Sequence, residues 1–216
     1  MVKLTLYGSK SDTCTQRVLI LLEELELKYD FNMIDLIKME QKSHSMLKLN
    51  PFGNVPVIEY DSYTIFESRS ILRYISKNNN DYKDLTLDGS VYVDMWLDAE
   101  AQTMSPILSK IVYEKLFKKL NDPSYIIDEN LINTEIDNLK NILHIYEDRL
   151  RNSKYIGGDK FSIADISNIP YIHALVKCGY KYVLKEFPVT YRWIKKIMSR
   201  DSVKRILEQT TQTLAE

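Results

Sequence analysis

Apolar and polar positions along this chain change period several times. Lys3–Tyr7 (KLTLY) alternates every second residue, which predicts a strand. Residues 13–27 (TCTQRVLILLEELEL) place Val18, Leu21, Leu22 and Leu25 on one helical face. Residues 28–34 read as a second strand and 39–49 (MEQKSHSMLKL) as a short helix. Val55–Tyr60 and Tyr63–Phe66 predict two strands joined at Asp61-Ser62, and 67–78 (ESRSILRYISKN) a closing helix.

The remainder has only the helical period. After a polar connector (78–89), residues 90–120 read as one long helix. Pro106 lies inside it and predicts a bend, because proline removes a helical N–H and crowds the preceding turn. Ile132, Ile136, Leu139, Leu143, Tyr146 and Leu150 recur at alternating steps of four and three, the clearest helical pattern in the chain. Ser162 with Asp165 three residues on predicts a variant capping box, with Phe161 as a hydrophobic staple and Gly179 as the stop. Residues 189–200 and 201–212 predict two more helices. The first third has the order β-α-β-α-β-β-α of a thioredoxin-like domain with a mixed four-stranded sheet. The expected fold class is therefore α/β followed by all-α. Its parts are a thioredoxin-like domain (1–79), a linker (80–88) and an all-helical bundle (89–216).

Composition narrows the function classes. Lys+Arg is 29 against Asp+Glu 30, a net charge of -1 with no basic run, which argues against nucleic-acid binding. No signal-peptide pattern opens the chain and no stretch is apolar enough to span a membrane. The two cysteines, Cys14 and Cys178, lie far apart, and unpaired thiols suit a reducing, cytoplasmic compartment. His44 and His144 have no partner pattern and read as exposed helix residues, so no metal is expected.

Four segments in order carry a resemblance: EQK (40–42), NPFGNVP (50–56), FESRSILRYIS (66–76) and YIGGDKFSIADIS (155–167). Together they resemble the cytosolic glutathione S-transferases, most closely the phi class and its bacterial relatives, over essentially the whole chain. The resemblance implies a cis bond before Pro56, with the Val55 backbone and neighbouring Asn54 at the ligand's cysteinyl part. It implies that Ser68, at a helix start where free N–H groups favour an anion, holds the γ-glutamyl carboxylate. Glu67 would sit near the ammonium, and Gln41 and Lys42 near the glycine carboxylate. Many members carry His where this chain has Gln41, and for Lys42 a solvated side chain is an equally good reading. It further implies a homodimer, with Phe52 inserted into the partner.

One position departs from the pattern. The phi-class hydroxyl that donates to the glutathione sulfur falls on Asp12. An ionised carboxylate cannot donate, and its charge raises a nearby thiol pKa. Asp12 suits an N-cap. Thr13 is the favoured substitute donor, followed by Ser11. Cys14, in a Cys-x-x-Arg-Val pattern similar to the zeta class, is the third candidate, though a small buried filler is its plainer role. Tyr113 and Phe117, with Tyr92, are candidates for an apolar electrophile pocket, although aromatic residues at helical spacing also build cores. The leading expectation is a transferase joining the glutathione thiolate, as co-substrate, to a small apolar electrophile in detoxification. A glutathione-dependent isomerase or thiol-disulfide enzyme using Cys14, and a non-catalytic binding protein of the same fold, remain as rivals.

Overall fold

The computed structural model describes residues 4–78 and 91–213; the expected linker falls outside them. The described chain divides into two compact units. One holds 4–78 together with 199–213, the other 91–198.

In the first unit a four-stranded sheet has the order β2-β1-β3-β4. Strand β1 (Leu4–Gly8) runs parallel to β2 (Asp30–Met33) and antiparallel to β3 (Val57–Tyr60), which pairs antiparallel with β4 (Tyr63–Phe66). The sheet is mixed, as the sequence order predicts. In the β1–β3 register Leu6 opposes Ile58 and Tyr7 opposes Val57. Alternation sends the second pair to one face, where Val57 packs with Ile34 and with Met46 of helix α2 (His44–Leu49). Leu6 and Ile58, both fully buried, serve the other face. Helix α1 (Thr13–Glu24) packs against α3 (Ser68–Asn78). The expected helix over 39–49 is two pieces. A 3₁₀ turn at Glu40–Lys42 ends at Ser43, whose hydroxyl accepts from the Met46 amide and starts α2 afresh.

Among its described residues the second unit holds seven α-helices and two π turns and no named strand. Helix α4 (Val91–Ala99), α5 (Ser105–Val112) and α6 (Lys118–Asn121) follow one another through two wide π turns, Glu100–Met104 and Tyr113–Phe117. The first lies just ahead of Pro106. There the Ser105 amide reaches back five residues to Glu100, so the interruption expected of proline takes the form of a widened turn. In the second, buried Glu114 accepts from the Lys118 ammonium, the Tyr125 hydroxyl at 2.8 Å and the Asp128 amide at 2.9 Å. Lys118 foremost holds this carboxyl down to about 2. Helix α7 (Glu129–Arg151) buries all six of its periodic apolar residues. Helix α8 (Ile163–Lys177), α9 (Lys181–Lys185) and α10 (Pro188–Met198) complete the unit. The short α9 has no apolar repeat long enough to announce it.

One boundary differs from the sequence reading, which ran the helical domain from 89 to 216. Helix α11 (Asp201–Thr213) belongs with the first unit and packs on α1. Val203, Ile206 and Leu207 are buried there. The Arg200 guanidinium forks onto Glu24 with both distances 2.7 Å, the Ser202 hydroxyl donates to the same carboxylate, and Arg205 reaches Glu23 at 3.1 Å. An amphipathic period shows that a helix has a partner but not which layer supplies it.

The capping box at α8 is present and carries more than a cap. Fully buried Asp165 accepts from the Ser162 amide (2.9 Å) and hydroxyl (3.1 Å), the Ile156 amide (3.0 Å) and the indole N–H of Trp193 on α10 (2.8 Å). Burial nonetheless pushes its carboxyl up from 3.8 to about 6. Asp165→Ala strands these donors, and each buried donor left unpaired costs about 1–3 kcal/mol, so the expected loss exceeds ~2 kcal/mol. Because the folded-state value lies above the unfolded one, this group's contribution is fullest below about pH 4 and declines as pH rises to about 6. Denaturant unfolding should show the gap between wild type and Asp165→Ala shrinking across that interval; a gap that widens contradicts the assignment.

Candidate functional site

A pocket of about 330 Å³ opens in the first unit. Three stretches of chain build it, each locally determined.

The first is the start of α1. Asp12 is its N-cap, in extended conformation, and Oδ2 accepts from the Thr15 amide (2.6 Å) and the Thr15 hydroxyl (2.8 Å). The Thr15 hydroxyl oxygen in turn accepts from the Ser9 amide at 3.4 Å, and the Gln16 side chain donates to the Lys10 carbonyl at 2.9 Å. The helix start is thereby pinned to the end of β1. Gly8 makes the approach possible: a Cβ there would lie 2.5 Å from the Thr15 methyl. Below the cap, Arg17 is fully buried and its Nη1 donates to Cys14 Sγ at 3.1 Å. Burial pushes the Cys14 thiol up, with Arg17 pulling the other way. Burial also raises Asp12, against the Thr15 hydrogen bonds that favour its ionised form.

The second is the loop before β3. The Asn50 side chain donates to the Asn54 carbonyl (2.9 Å) and accepts from the Phe52 amide (3.1 Å), closing the loop on itself. Gly53 has φ +58, and a Cβ there would meet the Lys42 side chain at 2.7 Å. The Val55–Pro56 bond is cis. The sheet register begins only at Val57, so Val55 lies outside the ladder.

The third is the start of α3. Glu67 sits in the left-handed region at φ +68, a conformation that costs a non-glycine residue energy and recurs at ligand sites. Its carbonyl accepts the Ile71 amide and closes the first turn. Ser68 is buried beneath it.

These stretches bring Asp12, Cys14, Asn54, Val55, Pro56, Glu67 and Ser68 to one wall, joined by Gln41 from the 3₁₀ turn. Gln41 Oε1 is buried without a hydrogen-bond partner among the described residues. Three expected residues are placed elsewhere. Thr13 is buried and does not line the pocket, since the helix turns its side chain inward. Ser11 is half-buried and shares a hydrogen bond with the Ser9 hydroxyl at 3.0 Å. Lys42 is exposed and donates to the Phe52 carbonyl at 2.8 Å. Tyr113 and Phe117 belong to the second unit, where their rings lie 6.4 Å apart on the second π turn. Tyr92 is there too, with the Arg149 guanidinium 5.7 Å above its ring. Arg69, Asn50 and Leu36 also line the pocket and were not foreseen. Arg69 directly follows the Glu-Ser pair, a signal that was available; Asn50 acts through loop closure, which spacing does not show. His44 and His144 are exposed, and among the described residues no cluster of three or more His, Cys, Asp or Glu is placed to hold a metal ion.

Comparison with known proteins decides the family. Residues 2–77 match the glutathione S-transferase N-terminal domain and 108–201 the glutathione S-transferase C-terminal domain. Glutathione S-transferase F7 of Arabidopsis thaliana is 34% identical over 96% of this chain and 100% of its own length.

This chain belongs to the glutathione S-transferase family.

The crystal structure of glutathione transferase F7 from Populus trichocarpa superposes with TM-score 0.88 at 32% identity, covering 96% of this chain and 99% of that one. Glutathione S-transferase I from Mais, solved with an atrazine glutathione conjugate, gives TM-score 0.88 at 29% identity, covering 97% and 98%. The transferase fold and the F-type kinship expected from the four sequence segments are thus present. No helix among the described residues is long and apolar enough to cross a membrane.

The Gly8–Thr15 contact yields a test of how this transferase builds its pocket. Gly8→Ala forces the Thr15 side chain off Asp12 or moves the helix start, at about 1–3 kcal/mol by the usual cost of overpacking. Urea midpoints should fall accordingly. An unchanged midpoint would mean that α1 tolerates a displaced start.

Proposed function

We propose that this protein conjugates the glutathione thiolate to small apolar electrophiles, with glutathione bound in the first-unit pocket. The observation that carries the reading is the convergence of the Asp12–Cys14 helix start, the cis Val55–Pro56 corner and the Glu67–Ser68 helix start on one cavity. The Val55 backbone offers an N–H and a C=O to the cysteinyl part of the peptide. Ser68 and the first amides of α3 take the γ-glutamyl carboxylate, with Glu67 toward the ammonium and Arg69 adding positive charge. Gln41 offers a neutral contact to the glycine end. Lys42 reaches that end only by leaving the Phe52 carbonyl. The sulfur then points to the start of α1, where helix amides and buried Arg17 favour an anion and the Asp12 carboxylate opposes one. Positioning and thiolate stabilisation are the protein's whole contribution, since the sulfur itself forms the new bond. Tyr113 and Phe117 stand as candidates for contacting the electrophile. The cytoplasm is the expected compartment.

A second reading, a thiol enzyme working through Cys14, is favoured by one fact: Cys14 lines the pocket. Its thiol is pushed up by burial, the wrong direction for an activated nucleophile. The two readings separate by mutation. Asp12→Ser keeps a good N-cap, removes the opposing charge and supplies a donor. It should raise the conjugation rate by about 10²-fold at most, the scale of one donor to a developing anion, and move the pH–rate profile toward acid. Cys14→Ala should change the rate little. A dead Cys14→Ala variant hands the pocket to the thiol-enzyme reading, and an unmoved Asp12→Ser profile reduces Asp12 to a cap.

Assembly as a homodimer belongs to the same proposal. Phe52 is 65% exposed, its ring meeting that of Phe66 edge-on at 6.0 Å, which leaves most of it available to a partner. Light scattering should report a dimer that Phe52→Ala loosens; a wild-type monomer at micromolar concentration removes the idea.

A further inference from the structure

The second π turn of the helical unit, Tyr113–Phe117, sorts its five residues by burial. Glu114 is buried, Lys115 and Leu116 are half-buried, and Tyr113 and Phe117 stay 53% and 37% exposed. The two exposed rings lie 6.4 Å apart with 30° between their planes, so they present one aromatic surface. The widening shows in the backbone, where the Lys118 amide donates to the Tyr113 carbonyl, five residues back rather than four. One residue of α-helix is about 100° of rotation about the axis. Closing the turn therefore re-aims the chain from Phe117 onward relative to Tyr113.

Such turns are uncommon, and this one has an identifiable cause. No glycine or proline lies between Ser109 and Asn121 to interrupt the helix. The interruption comes from the Glu114 carboxylate, kept ionised by the Lys118 ammonium foremost. Its Oε1 accepts from the Tyr125 hydroxyl at 2.8 Å and the Asp128 amide at 2.9 Å, and its Oε2 takes the Lys118 ammonium at 2.5 Å. The same ammonium donates to the Tyr125 hydroxyl at 2.7 Å, which closes a triangle of Glu114, Tyr125 and Lys118. Asp128 is the N-cap of α7, so the carboxylate ties the turn to the start of the next long helix. Lys115 adds a second tie there, its ammonium 3.1 Å from Glu129. A charge buried this deeply has to keep its donors, because a buried ion without partners is costly. The two ties engage Glu114 and Lys115 and leave Tyr113 and Phe117 exposed.

We infer that Glu114 is a positioning residue for the electrophile: by holding the turn open it sets Tyr113 and Phe117 side by side as the surface on which a planar aromatic electrophile rests. The inference rests on the reading of these two rings as electrophile contacts. Glu114 acts through them and takes no part in the bond that forms. A purely structural role makes a different demand on the kinetics. A weakened fold removes active enzyme for every substrate alike, whereas re-aimed rings penalise an aromatic electrophile selectively.

The measurement is the ratio of kcat/KM for 1-chloro-2,4-dinitrobenzene to that for allyl isothiocyanate, at saturating glutathione. In Glu114→Ala the ratio should fall by about two- to tenfold, the scale of one aromatic contact, with the loss in KM for the aromatic substrate rather than in kcat. The double variant Glu114→Gln, Lys118→Met keeps an acceptor for Tyr125 and Asp128 and removes the ammonium that the new amide faces, so the ratio should return toward wild type. Tyr125→Phe removes a single donor and should lower the ratio by a smaller factor; it decides the matter if Glu114→Ala does not fold. Phe117→Ala reports on the rings themselves. An unchanged ratio in the deciding variant, beside a lowered one in Phe117→Ala, overturns the inference and leaves the rings as electrophile contacts. An unchanged ratio in Phe117→Ala removes the rings' role and the inference together. A wild-type chain that binds no glutathione and conjugates neither electrophile removes the transferase reading, and the inference with it.

Discussion

Asp12 Oδ2 accepts two hydrogen bonds from Thr15, and the Thr15 hydroxyl oxygen accepts the Ser9 amide. This short chain of bonds joins the end of β1 to the first turn of α1. The joint exists only because β1 ends in Gly8, with no side chain between the strand and the helix. In the proposed reading, what the pocket does at the glutathione sulfur follows from where this joint puts the helix amides, Cys14 and Arg17. In that proposed reading, the same carboxylate that orders the helix start carries, when ionised, a charge that opposes a bound thiolate. Structure and chemistry therefore pull on Asp12 in opposite directions, and burial, which favours its neutral form, reduces the conflict.

The helical unit uses the same device with a different outcome. Glu147 and Asp165 are buried carboxylates that accept only from amides, hydroxyls and an indole rather than from Lys or Arg in the bonds described above. Hydrogen bonds to a charged acceptor are worth more than neutral ones and are directional, so each carboxylate fixes a helix start at a defined place. Asp165 sets α8 and, through Trp193, orients α10. Glu147 ties α10 to α7.

Much of this was legible in the chain itself, and for identifiable reasons. The strands, the hairpin, α1, α3, α7 and the capping box at α8 rest on period, turn residues and caps, all of which act within a few residues. The pocket's Asn54–Pro56 and Glu67–Ser68 stretches were expected from the family resemblance, whereas the closure of the loop by the Asn50 side chain was not. The Asp12 cap was legible as well. What the sequence could not determine depends on direction and on distant partners. Helical rotation turns Thr13 inward and Cys14 toward the pocket, although the two are neighbours in the chain. The Phe52 carbonyl takes the Lys42 ammonium. Helix α11 joins the first unit because Glu24, 176 residues from Arg200, offers it a carboxylate. Local sequence sets which elements form and where they begin; only the packed structure decides which face each side chain presents, since that choice is made by contacts far apart along the chain.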